Sequence, residues 1–186
     1  MSPKSMGIDP AWGSSAFGIV VTQFVDGICQ ILHADEYKRP DYNEMLSIVW
    51  KLIRKYEVHK IYIDGANPSF IRSLKIQIGE EPDYDKVIDR YRSECGTDYD
   101  WTQDMKIIPV NFNSEHKDML ANCKMVLEEG GGHIAINPVF DKLITSLRTA
   151  VDIDGKLDKE STSYNDIFDA FRLAMKFYHF GNTRDD

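Results

Sequence analysis

The chain has 186 residues, 42% of them hydrophobic and 28% charged, with a formal net charge of −8. That length supports one ordinary domain with a sizeable core, and the composition excludes a disordered or fibrous chain. The acidic balance argues against a broad nucleic-acid-coating surface, but clustered metal-binding carboxylates also make a chain acidic.

Three cysteines, Cys29, Cys95 and Cys123, are widely spaced. No pair has zinc-site or redox spacing, and an odd count makes no disulfide framework, so a reducing compartment is expected, with Cys29 and Cys123 in the core. No secretory leader or long apolar run is present, which predicts a soluble, intracellular chain that meets no membrane. Residues 1–6 are polar and read as a disordered leader or an addition ahead of the domain. Residues 1–186 otherwise read as a single domain.

In chain order, Gly7–Val21 opens as an apolar strand with an acid, Asp9, inside it. A Gly/Ser-rich turn and a second strand follow. Asp26-Gly27 is a short-hairpin signal leading into a third strand over Ile28–Leu32. Residues 35–40 read as a polar connection. Asp41 and Glu44 form a capping box for a helix with Met45, Ile48, Val49, Leu52, Ile53 and Tyr56 on one face. Lys60–Ile63 is a strand ending at Asp64, and the helix before it suggests a crossover that lays this strand parallel to the first.

A further helix is expected from Pro68, capped by Asn67. Residues 79–104 are rich in Asp, Glu and Tyr, lack periodicity, and read as an insertion. Met105–Val110 is a strand. Ser114 is expected to cap a helix that Gly130-Gly131-Gly132 stops. His133–Ile136 is a short strand, and Asn137-Pro138 should begin the next helix. A hairpin turning at Asp154-Gly155 precedes a last helix from about Tyr164 to Tyr178. Hairpin strands first, then strands alternating with helices, predict an α/β fold with a mixed sheet.

The acids carry the functional signal. A strand has no reason of its own to bury a carboxylate, because an unpaired buried charge is expensive. Asp9 nevertheless also reads as a turn-former before Pro10. Asp64 sits at a strand's carboxyl end, where functional groups gather in open α/β sheets, or it shapes a turn before Gly65. Asp166 and Asp169 share one face of the last helix at i and i+3. Helix-dipole complementarity explains Asp166 well and Asp169 less well. Clustered carboxylates repel, and Mg²⁺ or Mn²⁺, hard ions that prefer oxygen, relieve that repulsion. Two decoys are set aside. Asp152-Ile153-Asp154-Gly155 with Asp158 and Glu160 has its glycine too early for an EF-hand. Gly130–Gly132 ends a helix, whereas phosphate loops begin one.

In Gly7-Ile8-Asp9-Pro10-Ala11, in Ile61-Tyr62-Ile63-Asp64-Gly65, and above all in Asp166-Ile167-Phe168-Asp169-Ala170, the sequence resembles the RNase H-like nuclease superfamily. Within it, the likeness is to the nuclease domain of viral terminase large subunits, over nearly the whole chain. The resemblance implies an RNase H-like fold: a central mixed β-sheet flanked by α-helices, with carboxylates meeting at its centre around two Mg²⁺ or Mn²⁺ ions. It implies a metal-dependent endonuclease cutting double-stranded DNA during viral DNA packaging, with Asp9, Asp64 and Asp169 catalytic and Asp9, Asp64, Asp166 and Asp169 holding metal. Asp9 would bridge the two ions, and Asp166 would either hold metal beside Asp169 or only orient a neighbouring ligand. Asn165 stands where many members carry a further His or Asp.

The resemblance further implies a separate or excised ATPase motor, a portal and a small terminase subunit as partners, and the host cytoplasm as location. Candidate DNA contacts are Ser14, Ser15, Arg72, Lys75, Lys117, Lys156 and Arg172, most of them read more readily as solvated surface charges. A Holliday-junction resolvase and a non-catalytic binding module of the same fold are the rival readings.

Overall fold

The computed structural model describes residues 3–10, 15–78, 105–128, 133–176 and 178. Six strands form one mixed sheet: β1 (Lys4–Asp9), β2 (Ala16–Val25), β3 (Ile28–Lys38), β4 (Lys60–Asp64), β5 (Lys106–Val110) and β6 (Ile134–Ala135), in spatial order β5-β4-β1-β2-β3-β6. β1, β2 and β3 pair antiparallel, whereas β4 joins β1 in parallel and β5 joins β4 in parallel. The parallel β1–β4 pairing is the one expected from the crossover helix. A separate two-stranded hairpin consists of β7 (Asp152–Ile153) and β8 (Lys156–Leu157).

Five described helices cover the sheet: α1 (Tyr42–Tyr56), α2 (Pro68–Ile78), α3 (Phe112–Glu128), α4 (Asp141–Thr149) and α5 (Asn165–Met175). Strand side chains alternate between faces, and the core divides accordingly. Met6, Ile8, Phe17, Ile19, Ile61 and Ile63 pack on α1 and α2. Val20, Cys29, Ile31 and Ala34 pack on the other side, against Cys123 of α3, Leu143 of α4 and the apolar face of α5. Cys29 and Cys123 are buried as expected, and desolvation pushes both thiols up to about 12.

The asymmetry of the second face is what places the site. Along β1, Ser5, Gly7 and Asp9 share the face opposite Met6 and Ile8, and that face looks at α5. Ser5 Oγ donates to the Ala174 carbonyl at 3.0 Å. A Cβ on Gly7 would lie 1.9 Å from the Ala170 carbonyl oxygen, and one on Gly18 2.3 Å from that of Asp166. Glycine is therefore required at both positions, because α5 lies on the sheet backbone to backbone.

Several boundaries differ from the sequence reading. β1 begins at Lys4, inside the expected leader, because Lys4 and Ser5 pair with Gln23 and Thr22. β3 does not stop at Leu32. A bulge opposite Val21/Thr22 resets the register, and Ala34–Lys38 continue the ladder against Ala16–Val20. α3 starts at Phe112 rather than after Ser114, since the Asn111 side chain already accepts the Asn113 N–H at 3.1 Å. α4 starts at Asp141, because Asn137 Oδ1 accepts the Val139 N–H at 3.0 Å in a local turn around Pro138. The expected insertion at 79–104, Cys95 and the triple glycine lie outside the described residues.

Candidate functional site

The sheet register lines up acids in one row. Asp9 pairs with Gly18, and Gly18 pairs with Glu36 on its far side. Ile8 pairs with Ile63 on β4, which sets Asp64 one step on, beside Asp9. Glu36, Asp9 and Asp64 thus come from neighbouring strands on the face that α5 covers. The bare Gly18 between them lets the start of α5 descend, with Asp166 in its first turn and Asp169 about one turn on.

Each acid is held differently. Asp166 Oδ2 accepts the Ala16 N–H at 3.1 Å. Asp64 Oδ1 accepts the Ala66 N–H at 3.0 Å, so its turn-forming role is real. It also lines an open cleft of about 470 Å³ with Gly65, Val110, Asn111, Phe112 and Asn113. Glu36 Oε2 accepts the Ile167 N–H at 3.2 Å. That bond supplies a cap that Tyr164, in a left-handed conformation with no side-chain bond, does not. Asp169 is buried, with Arg172 Nη2 2.7 Å from Oδ1 and Lys159 Nζ 2.8 Å from Oδ2.

Arg172 is itself only 1% exposed. Its guanidinium lies 4.5 Å from the Phe112 ring centroid. Nη1 approaches His116 Nδ1 at 2.9 Å, while the Leu157 N–H approaches Nε2 of the same ring at 3.2 Å. A neutral imidazole has one lone pair, so it accepts from only one of these donors at a time. Desolvation and the Arg172 charge both lower the His116 pKa and keep the ring neutral.

The electrostatics are those of crowded acids. Desolvation raises the Asp9 pKa well above the usual carboxylate range, and Asp169 and Asp166 raise it further. Desolvation also raises Asp166, against the Ala16 hydrogen bond. Glu36 is raised by burial as well. Desolvation opposes the charge on Lys159, but Asp169, Asp9 and Asp166 outweigh it and raise its pKa.

Would these residues suit a divalent cation? The donor set is all carboxylate oxygen, the chemistry that Mg²⁺ and Mn²⁺ prefer. Asp169 Oδ1 is buried and makes no well-formed hydrogen bond despite its close guanidinium. Among the described residues, however, no three His, Cys, Asp or Glu side chains already stand together in a metal-holding group. The set fits in kind, with Asp169 turned toward its two cationic neighbours.

The expected DNA contacts divide. Ser15 is exposed at the start of β2, next to the Ala16 amide that holds Asp166. The Lys117 stem lies 3.3 Å from where a Gly155 Cβ would stand, and Lys156 is exposed on β8, so both belong to the hairpin side of the site. Arg72 is exposed and Lys75 partly buried on α2, which packs on the opposite face of the sheet. Arg172 is enclosed and ion-paired, so in this arrangement it cannot meet a phosphate. Ser14 lies outside the described residues. Lys159 and Glu36 were not singled out from the sequence. Glu36 lay in a stretch read as a connection, and Lys159 sits in a polar loop with no pattern to mark it.

A mixed sheet in this strand order, with a terminal helix bringing its acids to the central strands, defines an RNase H-like α/β domain. Residues 6–176 match the terminase RNase H-like domain, and the chain belongs to that family. Its fold is similar to the large terminase nuclease domain (g2p) of bacteriophage SPP1, solved with bound Mn. Identity is 15% and the TM-score 0.63, over 94% of this chain and 86% of that one. It is also similar to the large terminase nuclease of thermophilic phage G20c with bound magnesium, at 15% identity and TM-score 0.59, over 96% and 82% of the two chains. Against the HK97 bacteriophage large terminase, at 12% identity and TM-score 0.62, 96% of this chain aligns but only 40% of that one. No curated protein matches the chain.

Proposed function

We propose that the chain is a divalent-metal-dependent endonuclease that hydrolyses DNA phosphodiester bonds, the genome-cleaving part of a viral packaging terminase. The observation that carries this reading is the convergence of Asp9, Asp166 and Asp169 from β1 and α5, with Asp64 beside them. Membership of the terminase family and the Mn- and Mg-bound relatives support it.

Bound Mg²⁺ or Mn²⁺ would supply Lewis acidity at the phosphate and a water acidic enough to attack at neutral pH. Asp9, the central acid of the row, would hold the ions together with Asp64 on one side and Asp169 with Asp166 on the other. The chain's own contribution is to fix these oxygens. The Ala16 amide orients Asp166, the Ala66 amide orients Asp64, and Arg172 restrains Asp169. Such orienting bonds matter because a ligand's partners tune its position and basicity.

Double-stranded DNA is the proposed substrate, approaching along the hairpin side past Lys117, Lys156 and Ser15. An ATPase motor, a portal and a small terminase subunit are the proposed partners. Incubation of the purified protein with supercoiled plasmid and Mn²⁺ tests the reading. Nicked and linear product is expected, reduced at least about 100-fold in Asp9→Asn and Asp169→Asn. Absence of cleavage with either Mn²⁺ or Mg²⁺, or equal cleavage by the two variants, overturns it.

A further inference from the structure

We propose that Lys159 is the built-in counter-cation of the acid centre: its ammonium holds Asp169 until a divalent cation is bound, and then turns to the phosphodiester of the substrate. This rests on the nuclease reading above and adds a residue to it.

The two cations on Asp169 are not equivalent. Arg172 is buried, faces His116 and stacks on Phe112, so it has nowhere to go. The Lys159 side chain is 56% exposed, so its ammonium can leave Asp169 for water or an incoming anion without an unpaired burial. Its backbone, by contrast, is held. The Lys159 carbonyl accepts from Asn165 Nδ2 at 3.2 Å, at the first residue of α5. The preceding Asp158 accepts the Glu160 N–H at 3.1 Å and the Ser161 hydroxyl at 2.5 Å, and its carbonyl accepts the Thr162 hydroxyl at 2.6 Å. The result is an exposed, ion-paired ammonium on a fixed backbone. Its charge acts on Asp9 and Asp166 as well as Asp169, so one lysine serves the whole cluster.

A divalent cation at Asp169 must take Oδ2 from this ammonium. The displaced charge then stands at the rim of the site, where the nearest new anion is the phosphate being cut. A lysine serves a phosphate well as a mobile point charge. Metal and nucleic acid therefore assist each other's binding, because each removes the competitor of the other.

Mn²⁺ titration by calorimetry, without DNA, tests this. Wild type is compared with Lys159→Met, Lys159→Gln, Lys159→Arg and Asp9→Asn. Loss of the competing ammonium is expected to tighten Mn²⁺ binding about tenfold in Lys159→Met and Lys159→Gln, the size of one charged hydrogen bond, and to leave Lys159→Arg near wild type. The Mn²⁺-induced rise in melting temperature should be larger in the same two variants. Equal or weaker binding in both overturns the role of Lys159 while leaving the nuclease reading intact, provided the wild-type isotherm disappears in Asp9→Asn. A wild-type isotherm that is missing, or unaffected by Asp9→Asn, overturns both.

Discussion

Asp9 ends β1 with Asp166 and Asp169 facing it, and Lys159 is the cation that acts on it. Burial and the neighbouring acids hold its carboxyl well above the usual range. The folded protein therefore binds this proton more tightly than the unfolded chain does. The stabilisation that proton gives is present in full below the unfolded pKa and is lost as pH rises through the folded one. Asp9→Asn keeps the shape and removes the ionisation. In EDTA, we expect the variant to be more stable than wild type by about 1–3 kcal/mol near pH 8, with the margin shrinking toward about pH 4. Urea unfolding at the two pH values checks this, and a margin independent of pH would contradict it. A substitution expected to abolish the proposed cleavage should thus stabilise the metal-free fold, the usual trade at a site built for a ligand.

At the scale of elements, α5 is the piece on which the site depends. Every residue from Ile167 to Met175 is buried, Asp169 and Arg172 included. That explains what could and could not be read from the sequence. Asp9, Asp64 and Asp169 were legible because each is an acid at an odd place in an otherwise apolar element. Arg172 was misjudged because its charge suggested a surface, whereas a helix enclosed on nearly all sides draws its arginine inside to neutralise Asp169. Glu36 was hidden because the bulge that prolongs β3 depends on cross-strand pairing, which no local pattern carries. The close seat of α5 makes its own prediction. Gly7→Ala puts a methyl into the Ala170 carbonyl and the Ala174 amide, 1.9 and 2.4 Å away. Neither backbone atom can yield cheaply, so the loss should reach or exceed the upper end of the about 1–3 kcal/mol typical of overpacking. Guanidinium unfolding measures it, and a loss under about 0.5 kcal/mol would mean that α5 can lift away.

For the molecule as a whole, acids outnumber bases by 30 Asp and Glu to 22 Lys and Arg. Among the described residues, the basic side chains on the hairpin side of the site are few: Lys117, Lys156 and the half-exposed Lys159. Metal-free duplex binding should therefore be weak and should lose affinity with salt at a slope of only about two or three released counterions. Fluorescence anisotropy of a labelled duplex across a salt series reads that slope, and tight metal-free binding at physiological salt would contradict it. Among the described residues, no helix is long and apolar enough to cross a membrane. The two bare positions of the sheet, Gly7 and Gly18, have a last consequence. The separation between the acids of the strands and those of the helix is a gauge set by main chains in contact, at points where side-chain atoms are missing. Exchanges among core side chains that leave these two contacts in place are therefore expected to leave that spacing unchanged.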